Sequence, residues 1–278
     1  MDNLERIALM IDADNTQLSK LESVIREISK SGRIVVKRAY GNWKKDTLKN
    51  WEEELKRLAI KAEQQFDYVS GKNATDMALV IDTIELMHEK IYDGFVLVSS
   101  DSDYTPLAIK LRESGVYVMG VGEKKTPEAF RNSCDEFIFL ENLNENEKET
   151  QRRESRRQRT EKRTQGKQLW DTAGDMEESG GEGTGGCASP EEEPDICAAD
   201  WEELHKLLRI AADTYEDSDG YVNVSAAGTF IKRAKPDFDA RTYGFSKLPQ
   251  LLEAFPDRYE MKRYPGKGTV TIVAYRCK

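Results

Sequence analysis

The chain has 278 residues, of which 38% are hydrophobic and 33% charged, and its formal net charge is −9. This length suits one large domain or two smaller ones, and so polar a composition predicts that part of the chain stays solvated. The acidic balance argues against a protein that coats nucleic acid nonspecifically, although charge acts locally. The four cysteines include no Cys-x-x-Cys pair, which argues against a zinc ribbon and favours free thiols in a reducing compartment.

The first apolar run covers only residues 7–11 and ends at the carboxylate of Asp12, so it is too short and too polar for a signal peptide. No segment of the sequence approaches the roughly 18 consecutive apolar residues of a membrane-spanning helix. These patterns predict a cytoplasmic protein without a membrane partner.

Predicted strands and helices alternate along residues 1–143. Apolar runs predict strands at 7–11, 34–36, 66–69, 95–98, 116–121 and 137–140. Helical spacing of apolar residues predicts helices at 18–28, 51–59, 77–87 and 107–111, the third with Val80, Ile81, Ile84 and Met87 facing inward. Such alternation predicts an α/β domain of three layers, in which a mostly parallel sheet carries helices on both faces.

Residues 144–200 break this pattern and are predicted to be a disordered linker. The stretch 148–167 contains nine Lys and Arg with three Glu, and the stretch 171–200 contains ten acids and no base. Such composition cannot bury enough apolar surface to offset chain entropy. The basic stretch predicts an arm that either contacts RNA phosphates or remains a solvated charged helix, and the acidic stretch predicts a flexible tether.

A second, smaller domain is predicted over residues 201–278. A helical apolar stripe starts at Trp201, a second helix runs through Phe230 and Ile231, and a third covers 248–255. Extended segments around a turn at 265–268 complete a hairpin. Three helices and a hairpin in about 80 residues predict a winged helix-turn-helix domain.

Acidic side chains stand where two predicted strands end and where one helix begins. Open parallel sheets bind ligands outside the carboxyl ends of their strands, so we expect these side chains to meet there. Singly, each has an ordinary structural explanation as a helix cap, a turn residue or a first-turn acid. Together they favour a site. The carboxylates are Asp12, Asp76, Asp101 and Asp103, with Asp14 and Asn15 in the loop after the first strand.

Clustered carboxylates repel one another unless a cation neutralises them, and oxygen ligands favour Mg²⁺ or Mn²⁺. Such an ion activates water for in-line displacement at phosphorus. The two histidines, His88 and His205, accompany no triad-like set, so a metal-bound hydroxide takes the place of a histidine base in this hypothesis. Asp82 lies about 120° around the helix from Asp76 and is predicted to play a supporting, outer role, whereas Lys72 is either a phosphate contact or an ordinary surface lysine.

Three motifs of this half resemble the NYN domain, a member of the PIN-like nuclease group. They are Ile11-Asp12-Ala13-Asp14-Asn15, then Lys72-Asn73-Ala74-Thr75-Asp76 with Asp82 downstream, then Val98-Ser99-Ser100-Asp101-Ser102-Asp103-Tyr104 with Pro106-Leu107 following. The resemblance covers residues 6–140 and implies a metal-dependent ribonuclease. It implies an acidic catalytic and metal-binding centre of Asp12, Asp76, Asp101 and Asp103, supported by Asn15 and Ser99. Ser100 stands where many relatives have Gly, and some such domains bind RNA without cutting it.

The segment Asp12-Ala13-Asp14-Asn15-Thr16 also resembles the first motif of haloacid-dehalogenase-type phosphatases. In that family Asp12 would be a nucleophile and Asp14 an acid/base, and Ser99 resembles the second motif. The magnesium-binding acid pair of that family follows a later strand, but the segment after Val121 reads Gly-Glu-Lys-Lys. A phosphatase is therefore the weaker alternative.

Residues 200–278 resemble the LOTUS domain, also called OST-HTH. The matching strings are Asp219-Gly220-Tyr221-Val222, Pro236-Asp237-Phe238-Asp239-Ala240-Arg241, Tyr243-Gly244-Phe245-Ser246-Lys247-Leu248 and Leu251-Leu252. The resemblance implies RNA binding, in some members of G-rich or structured RNA, and in others protein partners. Basic side chains interleaved with Tyr243, Phe245 and Tyr264 suit RNA, although Phe245 is expected in the core and the lysines are otherwise ordinary surface. The predicted RNA-binding residues are Lys232, Arg233, Lys235, Arg241, Lys247, Lys262, Arg263 and Lys267.

Two functional hypotheses follow. The first is a ribonuclease that cleaves RNA endonucleolytically by metal-activated water, while the C-terminal domain holds RNA and the tether presents it to the acidic centre. The second is a non-catalytic RNA-binding or scaffold protein, whose acidic centre holds a structural ion or none.

Overall fold

The protein is described by a computed structural model over residues 4–66, 73–143, 198–217, 219–265 and 271–278. The predicted linker at 144–200 lies outside these ranges except for its last three residues, which begin a helix. The predicted RNA-binding residues Lys72 and Lys267 also lie outside them. Two cysteines fall within the described ranges, Cys134 and Cys277, and both are free thiols.

Six parallel strands form the sheet of the first domain. They are β1 (Leu4–Asp12), β2 (Gly32–Gly41), β3 (Lys61–Gln64), β4 (Gly94–Val98), β5 (Tyr117–Gly122) and β6 (Glu136–Phe139). Their order is β3-β2-β1-β4-β5-β6, and every pairing is parallel. The order reverses between β1 and β4, which is where open parallel sheets bind ligands. The prediction of a mainly parallel sheet is confirmed.

Helices cover both faces of this sheet. They are α1 (Leu21–Ile28), α2 (Trp51–Arg57), α3 (Ala74–His88), α4 (Thr105–Glu113) and α5 (Glu128–Ser133). Because successive side chains of a strand point to opposite faces, Leu9 and Ile11 of β1 pack with α1 and α2, whereas Ala8 and Met10 pack with α3, α4 and α5. This alternation produces the predicted three layers.

The third strand lies earlier in the chain than predicted. β3 covers Lys61–Gln64, whose alternation of charged and small side chains carries little apolar signal. The predicted strand at 66–69 therefore does not start at Phe66, which follows β3 with 51% of its surface exposed, and residues 67–69 lie outside the described ranges. An edge strand does not need a continuous apolar run, because only part of its surface enters the core.

The inward face of α3 also differs from the prediction. Leu79, Thr83 and Leu86 are buried, whereas Ile81 is 54% exposed and Ile84 only partly buried. Thr83 is accommodated because its hydroxyl donates to the carbonyl of Leu79 at 2.7 Å. The helix carries apolar residues on most of its circumference, so hydrophobic spacing alone did not select the correct face. Met87, by contrast, is buried as predicted.

The C-terminal region folds around its own core. Its elements are α6 (Ala198–Tyr215), β7 (Val222–Asn223), α7 (Val224–Ala234), α8 (Leu248–Glu253), β8 (Tyr259–Pro265) and β9 (Thr271–Cys277). The strands form an antiparallel sheet in the order β7-β9-β8. Leu204, Leu208 and Ala211 of α6 are buried, as the apolar stripe predicted, and α6 begins three residues before Trp201.

The C-terminal region contacts the edge of the six-stranded sheet, and both belong to one compact unit. The backbone N–H of Phe137, in the edge strand β6, donates to the carbonyl of Pro236 at 2.9 Å. Polar side chains surround this bond, in the pairs Lys232–Glu136, Arg131–Asp237, Asn142–Thr242 and Arg241–Glu27. This contact covers a strand edge that would otherwise expose unpaired backbone groups.

Within the described ranges, no helix combines the length and the apolar character that a membrane crossing requires.

Candidate active site at the carboxyl edge of the parallel sheet

The acidic centre lies at the carboxyl ends of the two central strands. Ile11 pairs with Val98 in the sheet register, so the residues after them, Asp12 and Ser99, come out side by side. Ser99 Oγ donates to Asp12 Oδ2 at 2.9 Å. Two segments that are 87 positions apart in sequence therefore meet where the strand order reverses.

Asp12 is fully buried and accepts four hydrogen bonds. Its Oδ1 accepts from the backbone N–H groups of Asp14 and Asn15 at 3.2 and 3.3 Å. Its Oδ2 accepts from Asn15 Nδ2 at 2.8 Å in addition to the Ser99 hydroxyl. Burial raises the pKa of Asp12, the hydrogen bonds from Asn15 and Ser99 lower it, and the charge of Asp76 raises it, with a raised pKa as the result.

Asp76 occupies the first turn of α3 and faces the same centre. Burial raises its pKa first, and the charges of Asp101, Asp103 and Asp14 raise it further, against a lowering hydrogen bond from Tyr104. Thr75 and Asn73, just before Asp76, donate hydrogen bonds to the carboxylates of Asp14 and Asp103, so the segments after β1, at the start of α3 and after β4 meet at this edge of the sheet.

Tyr104 lies beneath these carboxylates and is almost completely buried. Its hydroxyl donates to Asp76 Oδ1 at 2.8 Å. Burial and the charges of Asp12 and Asp76 all raise the pKa of this phenol, so it remains protonated and acts as a hydrogen-bond donor. Sequence reasoning placed Tyr104 only at the start of a helix, and no sequence signal beyond its place in the third motif marked it as a site residue.

Asp101 and Asp103 belong to the turn that enters α4. Asp101, rather than Asp103, caps this turn, because its Oδ1 accepts the backbone N–H of Asp103 at 3.0 Å. Asp103 accepts instead from Asn73 Nδ2 at 3.1 Å, which connects the turn to the start of α3. The backbone N–H of Asp101 donates to Ser99 Oγ at 3.1 Å, so Ser99 links this turn to Asp12.

Asp14 joins the centre through partners that the sequence did not indicate. Lys45 Nζ lies 3.2 Å from both of its carboxylate oxygens, and Thr75 Oγ1 donates to Oδ2 at 3.3 Å. Lys45 follows β2 and Thr75 begins α3, so these contacts arise from the fold and not from any local spacing.

A polar cleft of about 430 Å³ adjoins the acidic centre on the β5 side. Within it, Gln17 Nε2 donates to Glu123 Oε1 at 2.9 Å, and Lys125 pairs with the same carboxylate at 2.7 Å. The cleft is lined by Asp14, Asn15, Thr16, Gln17, Ser100, Asp101, Ser102, Glu123, Lys125 and Pro127. A lining of amides, hydroxyls and carboxylates suits a hydrogen-bonding ligand rather than an apolar one.

The Asp82 carboxylate makes its contacts outside the acidic centre. Its carboxylate forms an ion pair with Arg38 and accepts a hydrogen bond from the hydroxyl of Tyr40, both on β2. These contacts attach α3 to the sheet. The structure thus places the Asp82 carboxylate in contacts that hold the helix carrying Asp76, and its supporting role at the acidic centre stays a prediction.

The donor set has the oxygen chemistry that Mg²⁺ and Mn²⁺ prefer, because it consists of carboxylates. The side-chain positions are less favourable. Among the described residues, no group of three or more His, Cys, Asp and Glu is arranged so that it could hold a metal ion. Access to Asp12 also requires the Asn15 amide to move, because that amide bonds the Asp12 carboxylate.

Burial also bears on the phosphatase alternative. A nucleophilic aspartate must reach the substrate phosphorus, whereas Asp12 has no exposed surface and four hydrogen-bond donors around it. Glu123, in the segment where that family's acid pair was sought, bonds Gln17 and Lys125. Both observations count against this alternative.

Most of the predicted RNA-binding side chains in the C-terminal region have acidic partners. The pairs are Lys232–Glu136, Lys235–Glu203, Arg241–Asp239 with Glu27, Lys262–Asp219 and Arg263–Glu253. Arg233 and Lys247 are exposed. Tyr243 is part of the core, and Phe245 packs partly buried against it, close to the expectation. Lys232 and Arg241 are used in the contact with the first domain.

A different cation–aromatic cluster lies on the small antiparallel sheet. Lys262 Nζ stands 4.9 Å from the ring centroid of Tyr221 and 4.8 Å from that of Tyr264. The guanidinium of Arg276 stands 5.0 Å from the Tyr221 centroid. Exposed cations beside aromatic rings can contact both the phosphates and the bases of RNA.

Comparison with solved structures finds two proteins that are similar to parts of this chain. A protein of unknown function from Vibrio parahaemolyticus is 17% identical over 50% of this chain and 94% of its own, with a TM-score of 0.42. An uncharacterized protein from Nitrosomonas europaea is 23% identical over 37% of this chain and 92% of its own, with a TM-score of 0.27. No curated protein gives a significant match.

Family comparison separates the two halves of the chain. The NYN domain family matches residues 6–141, which contain the parallel sheet and all of the acidic centre. The OST-HTH/LOTUS domain family matches residues 201–271, which contain the small antiparallel sheet and its cation–aromatic cluster. The chain therefore contains an NYN domain over residues 6–141, followed by an OST-HTH/LOTUS domain over residues 201–271.

Proposed function

We propose that this protein is a ribonuclease that depends on Mg²⁺ or Mn²⁺ and cleaves RNA endonucleolytically, with the LOTUS domain binding the RNA. An NYN domain joined to a LOTUS domain supports a nuclease that acts on RNA. The observation that carries the finer proposal is that hydrogen bonds from Ser99, Thr75 and Asn73 to Asp12, Asp14 and Asp103 bring β1, α3 and the loop after β4 together beside a polar cleft.

Each acidic side chain has a distinct place in this proposal. Asp76, Asp101 and Asp103 face the surface and would hold the ion, while Asp12 joins them once the Asn15 amide moves aside. The bound ion would supply an activated water and neutralise charge on the phosphate. Ser99 and Tyr104 orient Asp12 and Asp76 by donating hydrogen bonds to them.

The LOTUS domain would hold the RNA while the NYN domain cuts it. In the cation–aromatic cluster the partly exposed ring of Tyr264 could stack on a base, and Lys262 and Arg276 could contact phosphates. Linking this surface to the acidic centre raises the local concentration of RNA there. G-rich or structured RNA and protein partners remain expectations that come from the domain family.

The test is a metal-titrated cleavage assay on an RNA pool and on DNA of the same sequences. Asp101→Asn keeps an oxygen to cap the turn but removes the charge, so we expect folding to be retained and the cleavage rate to fall by about a hundredfold or more. Glu113→Gln, at the far end of α4, serves as the matched control and should cleave normally. Cleavage that persists in EDTA, or an unchanged rate in Asp101→Asn, would contradict the proposal.

A non-catalytic RNA-binding function is the second candidate. It is favoured by the burial of Asp12 and by the lack of a three-ligand group among the described residues. RNA binding that survives every aspartate substitution, with no cleavage at any metal concentration, would establish it in place of the nuclease.

A further inference from the structure

An exposed aromatic ring with a lysine over it lies just past β3. Phe66 has 51% of its surface exposed, more than any other aromatic side chain in the described ranges, and Lys44 Nζ stands 5.0 Å from its ring centroid. Exposing a phenylalanine ring forgoes the stabilisation that burial would give, so such a position calls for an explanation. A single apolar side chain on a surface is common and needs no explanation. The Phe66 ring differs because a lysine ammonium lies over it and because it lies at the end of a strand.

The ring lies at the same edge of the sheet as the acidic centre. In the parallel register Asp12 pairs with Tyr40 and Gly41 pairs with Gln64, so β1, β2 and β3 end together. Phe66 follows β3 by two residues. The ring therefore lies two strands from β1 at the same sheet edge as the acidic centre, on the side away from the polar cleft, which lies toward β5.

The loop after β2 connects Phe66 to the carboxylates, and it is held in place by hydrogen bonds. Gln64 Oε1 accepts the backbone N–H of Trp43 at 3.1 Å, and Gln64 Nε2 donates to Asn42 Oδ1 at 3.1 Å. From this loop Lys44 reaches the Phe66 ring, and Lys45 reaches the Asp14 carboxylate at 3.2 Å. The loop after β2 thus contacts both the Phe66 ring, through Lys44, and the acidic centre, through Lys45.

The positive charges of these two lysines could attract the phosphates of a nucleic acid. A phosphate that approaches the carboxylates is repelled by them, and Lys44 and Lys45 are cations placed at that approach. A base can stack on the exposed ring only if its own face is free, which holds for unpaired nucleotides and not for bases inside a duplex.

We propose that Phe66 and Lys44 form a stacking platform that receives an unpaired base of single-stranded RNA beside the acidic centre, with Lys44 contacting the adjacent phosphate. The platform rests on the proposed function, since it selects the form of RNA presented for cleavage. It makes single-stranded segments the preferred substrate.

The experiment measures binding in EDTA, so that cleavage plays no part. The affinity of the full chain for a short oligouridine and for the same length of RNA duplex is measured by fluorescence anisotropy. Phe66→Leu keeps an apolar side chain but removes the π-face, and should weaken single-strand binding by about fivefold or more, as the loss of one stacked base requires. Phe66→Trp should bind within about twofold of the parent chain, because it retains a ring.

Location is tested with 4-thiouridine in the same oligonucleotide. We expect photocrosslinks at Phe66 or in the loop 42–45, and their loss when an unlabelled single strand, but not a duplex, competes. Tyr215→Leu removes another exposed aromatic ring, 44% exposed in the LOTUS domain, and should leave these crosslinks unchanged.

Several outcomes would overturn the platform. In the binding assay these are an affinity for oligouridine that is equal in the Phe66→Leu and parent chains, or that falls equally in Phe66→Trp and Phe66→Leu. In the crosslinking assay they are crosslinks confined to other regions of the chain. Binding of a protein instead of RNA at Phe66 would also overturn it. Absence of cleavage with the platform intact would remove the nuclease proposal alone. Cleavage without a Phe66 effect would remove the platform alone.

Discussion

The phenol of Tyr104 connects the core of the NYN domain to its acidic surface. Its ring packs in the core on the α3, α4 and α5 face, and its hydroxyl bonds Asp76 at 2.8 Å. A hydrogen bond to a charged group is worth about 1.5–3 kcal/mol, and here it fixes the direction of a carboxylate. In the proposed nuclease Tyr104 is therefore a positioning residue, because it would act on the substrate through the carboxylate that it bonds.

Tyr104→Phe should therefore slow cleavage while lowering the free energy of unfolding by no more than the value of one hydrogen bond, about 1.5–3 kcal/mol. The phenyl ring still fills the core, but Asp76 loses the hydrogen bond from the phenol, so we expect cleavage to slow by about tenfold, equivalent to about 1.4 kcal/mol. The readout is the single-turnover cleavage rate at saturating metal together with the urea midpoint. Tyr92→Phe, on a partly buried tyrosine outside the site, is the control. A parent-like rate in Tyr104→Phe would show that Asp76 needs no orientation.

Side chains near the strand ends divide into those that sequence reasoning found and those that it missed. Asn15 and Ser99 belong to local motifs, and both bond Asp12. Lys45 and Thr75 reach Asp14 from segments 31 and 61 positions away, and their types are common on any surface. Local spacing determines neighbours along one loop, but only the folded sheet determines which loops are adjacent.

Helix α3 illustrates why element faces are harder to predict than elements. The helix itself was predicted within three residues at its start and one at its end, yet Ile81 was assigned inward and is exposed. Its apolar residues surround most of the axis, so the burial direction depends on where the sheet and α4 present free surface. The ion pair of Asp82 with Arg38 adds a polar constraint that apolar periodicity does not contain.

Leu79 and Ile81 give a direct check of the observed face. Leu79→Ala removes a side chain that is 2% exposed, and should lower the free energy of unfolding by about 2–5 kcal/mol. Ile81→Ala changes an exposed position and should shift it by about 0.5 kcal/mol or less. Urea denaturation of both variants provides the comparison. A larger loss in Ile81→Ala than in Leu79→Ala would mean that α3 is rotated relative to the structure.

Contacts between the two domains are the hardest to predict from the sequence. Arg241 and Glu27 are 214 positions apart, and Lys232 and Glu136 are 96 apart. Lys232 and Arg241 were assigned to RNA from their sequence neighbourhood, but in the structure both bind acids of the NYN domain. A basic side chain offers the same charge to a phosphate and to a carboxylate, so composition alone does not distinguish these partners.

The docked arrangement makes a prediction about Arg131 and Asp237, whose carboxylate is buried against the NYN domain. Arg131→Met leaves that carboxylate buried without its cation, which costs about 3–5 kcal/mol and should release the LOTUS domain. The amide of Phe137 reports the release, because its N–H donates across the contact to Pro236. Its hydrogen exchange should accelerate by about a hundredfold or more, the factor that corresponds to about 3 kcal/mol.

The amide of Val96 in the central strand β4 is the internal reference for this experiment, since it should stay protected while only the sheet edge opens. Adding Asp237→Asn to Arg131→Met removes the buried charge and should restore part of the Phe137 protection. A neutral pair costs less free energy to desolvate when the domains dock. Unchanged exchange at Phe137 in Arg131→Met would show that the ion pair does not hold the two domains together. Faster exchange at both Phe137 and Val96 would instead indicate unfolding of the NYN domain.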